Sequence, residues 1–389
     1  MGKAASIAPH VLMVVCLSFL LTACGGGASG VGGNGGGGNG GGGTWIAIQT
    51  QPPNISDATF FMIDTNGNFY SSGETGSGMY VSTDHGASWK TLNSGFANAC
   101  HGAMLVDGVG ALLAGDDTNP AAPNCTSAPN HLYRLPSGSN TWAQATPGFG
   151  GFGQKPYQLL GSGSGAPIIA GGMSGSVWIS NDNGNSYQEC AGCPGVFSPS
   201  TTAETLDIKK SLGGYLYVGI AQSGVYYSTD NGNHWTQMPC NGGNNCAGAN
   251  GQAEDYLAIG MTPSGSLLVS RDYDSGSIAC YGPQPPPNGT WTKCDNGLAP
   301  GSGEHPNAVR SGTGGIWLNP SHTVVFLAAN NGSAHIGDVY SSTDGSNWTK
   351  ADTGLPAQPN AINFSVDSGT GLLYVLVKGS GIYHTTTTP

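Results

Sequence analysis

One repeated phrase limits what this chain can fold into. Ser228-Thr229-Asp230-Asn231-Gly232-Asn233-His234-Trp235 is matched by Ser82-Thr83-Asp84-His85-Gly86-Ala87-Ser88-Trp89. Ser180 to Tyr187 repeats it with Tyr187 in the last place, and Ser342-Thr343-Asp344-Gly345-Ser346-Asn347-Trp348 is one residue shorter. The pattern S-x-D-x-G-x-x-W is that of a tight turn between two strands. The Asp carboxylate accepts from backbone N–H groups of its own turn. The Gly takes the positive φ that other residues resist. The aromatic covers the turn from the following strand. Each copy follows a β-prone run, such as Gly224-Val225-Tyr226-Tyr227.

Aligning the closing aromatics gives a ladder: Trp89, Trp142, Tyr187, Trp235, Trp291 and Trp348, spaced 45 to 57 residues apart. That interval suits four short strands per unit. Arg134 to Trp142 has lost the Asp. Before Trp291 the turn has grown into a Pro-rich loop bracketed by Cys280 and Cys294. The fourth unit predicts strands at Thr205 to Lys209, Tyr215 to Ile220, Val225 to Thr229 and His234 to Met238, with short polar or Gly turns between them. The two ends complete each other. Gly381 to Thr386 matches a third strand with no fourth after it, and Thr44 to Gln49 matches a fourth strand with nothing before it. The fold expected is all-β: a seven-bladed β-propeller of four-stranded antiparallel blades. An N-terminal strand joining the C-terminal blade closes it and leaves no open edge at the seam. It forms one domain, residues 44–389.

The repeated phrase resembles the Asp-boxes of BNR-repeat β-propellers, a motif shared by sialidases, xyloglucan-degrading enzymes, sortilin-type receptors and photosystem assembly factors. On that resemblance Asp84, Trp89, Asp182, Tyr187, Asp230, Trp235, Asp344 and Trp348 are structural. Ligands are implied on the face opposite the boxes. The resemblance fixes architecture and leaves activity open. Sialidases of this class use three arginines, since a guanidinium grips a carboxylate through two parallel bonds. This chain has three arginines in all, Arg134, Arg271 and Arg310. Tyr133-Arg134-Leu135-Pro136 resembles the family's F/Y-R-I-P start, yet it follows the box at Asp84 instead of preceding the first box. The xyloglucan-degrading relatives place their site between two propellers, more than one domain of this length supplies. The photosystem factors are single seven-bladed units with a basic patch, which an acidic chain does not offer.

The formal net charge of −11 argues against nucleic acid and against a polybasic membrane contact. The start reads as an export signal, residues 1–23: Lys3, then a short apolar core from Val11 to Leu21. Leu21-Thr22-Ala23-Cys24 resembles the bacterial lipobox, which implies a lipid on Cys24. Gly25 in the next position favours the outer membrane. The expected location is the bacterial cell envelope. Residues 24–43 carry the lipidated Cys and a Gly-rich tether with a reach of roughly 25 Å.

Eight cysteines remain in the exported part: Cys100, Cys125, Cys190, Cys193, Cys240, Cys246, Cys280 and Cys294. An even number in an exported chain reads as disulfides. The simplest pairing is local, in the order given. Cys190-Ala191-Gly192-Cys193 lacks the second C-x-x-C of a zinc set. Asp64 to Asn68 and Asp182 to Asn185 faintly resemble calcium loops but lack a closing Glu. They read as ordinary turns, and no metal or cofactor is expected.

The long connections, Asp116 to Asn130, Cys190 to Ala203 and Cys240 to Ala253, fall on the face opposite the boxes, where binding residues collect on rigid scaffolds. The heads of the inner strands would ring the channel mouth there: Asp57, His101, Tyr157, Glu204, Glu254 with Asp255, Arg310 and Asn363. Glu204 and Asp255 on adjacent blades would suit the acid–base pair of a glycosidase if about 5–9 Å apart. A solvated polar rim is the plainer reading. Glu304 and His305 fall just before the sixth inner strand, as loop residues. The expected function is a monomeric binding module for a protein or glycan. The alternative is a glycoside hydrolase acting at the channel mouth.

Overall fold

The structure is a computed structural model that describes residues 44–389, apart from 74, 97–100, 117–124, 126–130, 146–155, 162–166, 173–175, 191–204, 221–223, 239–255, 272–277, 283–285, 287, 299–303, 306–314, 332–335 and 358. All regular structure among the described residues is β-strand. Seven antiparallel sheets follow one another round a ring, forming a seven-bladed propeller. Blades one to six cover 58–91, 101–144, 156–189, 205–237, 256–293 and 304–350, and blade seven pairs 361–385 with Trp45–Ala47.

Blade four shows why these residues make sheets. Its strands are Thr205–Lys210, Leu216–Ile220, Gly224–Ser228 and Thr236–Gln237. Alternate side chains of a strand face opposite sides. Leu216, Val218 and Ile220 pack with Ile169, Val177 and Ile179 of blade three. Tyr217 turns the other way, onto Ile259, Leu267 and Val269 of blade five. Both faces of each sheet are therefore core. Each such aliphatic side chain removed from water stabilises by about 1.5–3 kcal/mol.

The repeated phrases are turns between the third and fourth strands. In blade one the Ser82 hydroxyl donates to Asp84 Oδ1 at 2.7 Å and accepts from Gly86 N at 2.8 Å. Asp84 Oδ1 also accepts from Ser88 N at 2.8 Å. The same three bonds recur around Asp182 and Asp230. Two successive residues take positive φ: His85 with Gly86, Asn183 with Gly184, and Asn231 with Gly232. That is why Asn or His precedes the Gly, these being the non-Gly residues that enter this region most readily. The shortened copy needs one such residue, Gly345 at φ 77°.

A second phrase, not anticipated from the sequence, locks neighbouring blades together. It follows the fourth strand: Asn93-Ser94-Gly95-Phe96, Asp295-Asn296-Gly297-Leu298 and Asp352-Thr353-Gly354-Leu355. Each Gly has positive φ, and a Cβ there would collide with the carbonyl oxygen of the next blade's closing Trp. That Trp makes two bonds across the junction. The Trp142 backbone N–H donates to Ser94 O and its indole Nε1 to Leu92 O; Trp348 does the same to Asn296 O and Cys294 O. Trp45 repeats both bonds, to Thr353 O and Ala351 O. The N-terminal strand thus supplies blade seven with a closing aromatic. Its residues pair Trp45 with Thr385 and Ala47 with Tyr383, as expected for a shared blade.

One reading changes. Glu304–His305 is not loop: it pairs with Asn330 and Asn331, and Ile316–Leu318 pairs further along the same strand. The inner edge of blade six is therefore made of two pieces. Cys280 and Cys294 form the expected disulfide. Cys125 and Cys190 are also disulfide-bonded, while their expected partners Cys100 and Cys193 lie outside the described residues, as do Cys240 and Cys246.

Candidate functional site

The inner strands run from the long-connection face to the box face, so each channel mouth is built by one set of strand ends. At the long-connection mouth, Glu204, Glu254, Asp255 and Arg310 lie outside the described residues, and so does Cys24. His101 and Tyr157 are described as strand backbone only, each at or beside the head of its inner strand. Asp57 accepts from Thr75 N and from the backbone N–H and hydroxyl of Ser77, so it organises the connection between the second and third strands of blade one.

Asn363 does not reach the mouth. It is fully buried, and its amide Nδ2 donates to Phe61 O of blade one. The cause is a β-bulge between Ala361 and Asn363, which shifts the alternation by one residue. Blade four has the same bulge between Thr205 and Asp207. Asp207, absent from the expected site residues, occupies the place of Asn363. Its Oδ2 accepts from Ile259 N of blade five at 2.8 Å, and its Oδ1 from Ile208 N at 2.8 Å. Lys209 Nζ lies 3.3 Å from Oδ1. Burial pushes the Asp207 carboxyl up, opposed by the Lys209 ammonium and by the two backbone donors. Both residues are clamps between neighbouring blades.

Arg134 is equally committed. Its guanidinium bonds Asp107 Oδ2 at 3.1 Å and the Asn183 carbonyl at 3.1 Å, tying the first hairpin of blade two to the box turn of blade three. This places it on the box face, among structural contacts. The first hairpins share another device missed in the sequence. Asp64, Asp107, Ser211, Thr262, Asn319 and Asp367 hold the same position, and each side chain accepts backbone N–H groups of its own turn. Asp64 spends its second oxygen on Asn68 and Tyr70, so the loop that resembled a calcium site has its carboxylate satisfied by its own turn.

The box-face mouth holds a cavity of about 420 Å³. Its apolar wall comes from Ile63, Met261, Ile316, Trp317, Phe364 and Val366. Lys209, Lys210, His322 and Ser365 add polar groups, and half-exposed Leu212 stands at the rim. Asn319 also lines it, but its amide is used up on Ser321, Thr323, Val324 and Pro389. Lys209-Lys210 is the one pair of adjacent cations in the chain, a signal legible in the sequence and not used there.

No family model matches the chain, and no curated protein does. Solved structures do. The GH74 xyloglucanase from Xanthomonas campestris superposes with TM-score 0.62 at 16% identity, over 88% of this chain and 53% of that one. The chain therefore spans about half the length of that enzyme. YCF48 bound to a D1 peptide superposes with TM-score 0.58 at 14% identity, over 88% and 95%. Virginiamycin B lyase from Staphylococcus aureus does so with TM-score 0.62 at 10% identity, over 87% and 98%. At these identities the likeness is one of fold, the seven-bladed propeller.

Proposed function

We propose that this chain is an exported, lipid-anchored propeller of the BNR-repeat kind that binds a protein or glycan at the bacterial cell envelope, through the face opposite its box turns. One observation carries the reading. Around the box turns the charged side chains are committed to the scaffold: Asp84, Asp182, Asp230 and Asp344 to their turns, Asp107 and Arg134 to each other. The long connections, 117–131, 190–204 and 238–255, fall at the other ends of the strands. Lys3, the apolar core and Cys24 support export and lipidation, and the Gly-rich tether would let the ring stand off an outer membrane as a monomer.

The similar folds support both kinds of ligand, since one is named for xyloglucan and another is recorded with a D1 peptide. A glycan array probed with the full chain, read for retained protein and for loss of printed sugar, tests the proposal. Retention on one sugar class makes the ligand a glycan. Loss of the sugar makes the protein a hydrolase, with Glu204, Glu254 and Asp255 the first carboxylates to replace. Silence on both directs the search to envelope proteins by cross-linking.

A further inference from the structure

The cavity at the box-face mouth has a donor pattern of its own. Lys209 lines the cavity, and its ammonium, with one contact to Asp207, has further N–H groups to give. Lys210 is exposed and makes no ion pair among the described residues. The Ser365 oxygen accepts from Ile63 N at 2.9 Å, which leaves its hydroxyl hydrogen to donate. The carboxylates on the neighbouring hairpins are already spoken for. Asp64 is bonded by Asn66, Asn68 and Tyr70, and Asp367 by Gly369, Thr370 and His85. No carboxylate lines the cavity among the described residues. The spare hydrogen bonds offered by its lysines and serine are thus donors, and they sit beside an indole, a phenyl ring and aliphatic walls.

We infer that this cavity is a binding site for a small organic anion with a flat apolar body, of the chemical class of an aromatic carboxylate. A neutral apolar molecule would make no use of the two ammonium groups. A bare inorganic anion would leave the wall of Trp317, Phe364 and Met261 uncovered. The volume of about 420 Å³ lies within the range of small-molecule sites. In a chain of net charge −11, Lys209 and Lys210 place two adjacent cations at the channel mouth, and Lys210 is not paired with a carboxylate among the described residues. The site lies at the opposite end of the channel from the long connections, so its occupation and theirs are separable.

The test is calorimetric titration of the full chain with 1-naphthoate, and with 1-naphthalenemethanol as its neutral counterpart. Naphthoate binds with one-to-one stoichiometry, weakens as salt rises, and outcompetes the alcohol. Lys210→Met lowers naphthoate affinity about tenfold and leaves the alcohol unchanged. Lys293→Met removes the same charge from an exposed site on the outer strand of blade five and has no effect. Leu212→Ser at the rim weakens both ligands. The inference is overturned if naphthoate shows no saturable heat, if the alcohol binds as tightly, or if Lys293→Met costs as much as Lys210→Met.

Discussion

The two faces of the ring use their chain reversals differently. On the box face the connections are short, as at 64–68 and 211–215, and one buried or half-buried side chain closes each by accepting its backbone N–H groups. On the other face the chain runs through 117–131, 190–204 and 238–255 before it rejoins a blade. The first set is fixed by its own hydrogen bonds, and long connections on a rigid scaffold are where ligand-binding residues collect. Substitutions at the turns and clamps of the box face should therefore cost stability, and substitutions in the long connections should cost binding of the envelope ligand.

The largest expected effect is at the clamp between blades four and five. Asp207→Ala leaves Lys209 and the Ile259 N–H without their partner and should cost about 3–5 kcal/mol. Asp207→Asn keeps an acceptor for Ile259 and should cost about 1–2 kcal/mol. Urea titration of both variants measures the difference. Next comes Gly354→Ala at the seam, where positive φ and the Trp45 carbonyl oxygen both oppose a Cβ. A loss of about 3 kcal/mol is expected there, with Gly95→Ala and Gly297→Ala alike. Trp45→Phe keeps most of the packing and deletes the indole bond to Ala351 O, for about 1 kcal/mol. If Trp45→Phe matches Trp348→Phe in melting temperature, the seam is an ordinary junction. A far larger loss at Trp45 would make it the weak point of the ring.

Acid separates the faces more gently. Hydrogen bonds from the Ser88 and Ser82 side chains and the Ser88 backbone hold the Asp84 carboxyl down at about 2. Burial opposes ionisation of Asp344, but the donors of Asn347, Ser346 and Ser342 outweigh it and also hold that group at about 2. Both folded values lie below the ordinary aspartate value. Their contribution is complete above about pH 4 and is lost as pH falls through about 2. The melting difference between wild type and Asp344→Asn should be present at neutral pH and vanish near pH 2.

The blade count, the shared seventh blade and the box turns were legible because each is local, a few residues in fixed order. Asp207 was not. In Thr205-Leu206-Asp207-Ile208-Lys209-Lys210 it alternates with apolar residues and reads as a solvent-side position. In a propeller both sides of an inner strand face another blade, and a bulge sets which residue reaches the neighbour. That depends on register across the ring, which no single stretch encodes. Asn363 reads as a rim residue in the sequence for the same reason. The phrase ending in Gly95, Gly297 and Gly354 was readable as a repeat, but its meaning rests on a Trp of the following blade. The lysine doublet was plain in the sequence, while its place at the channel mouth came from ring closure.

The smallest stability effect, and the most direct test of the division between faces, comes from replacing residues 240–253 with a short Gly-Ser linker, removing Cys240 and Cys246 together. The melting curve of this variant and its retention on the glycan array or on the cross-linked envelope partner are measured beside the parent. The expected result is a melting temperature within about 2 °C of the parent and loss of the retained ligand. A variant that unfolds, or one that keeps its ligand undiminished, would contradict the assignment of recognition to the long-connection face.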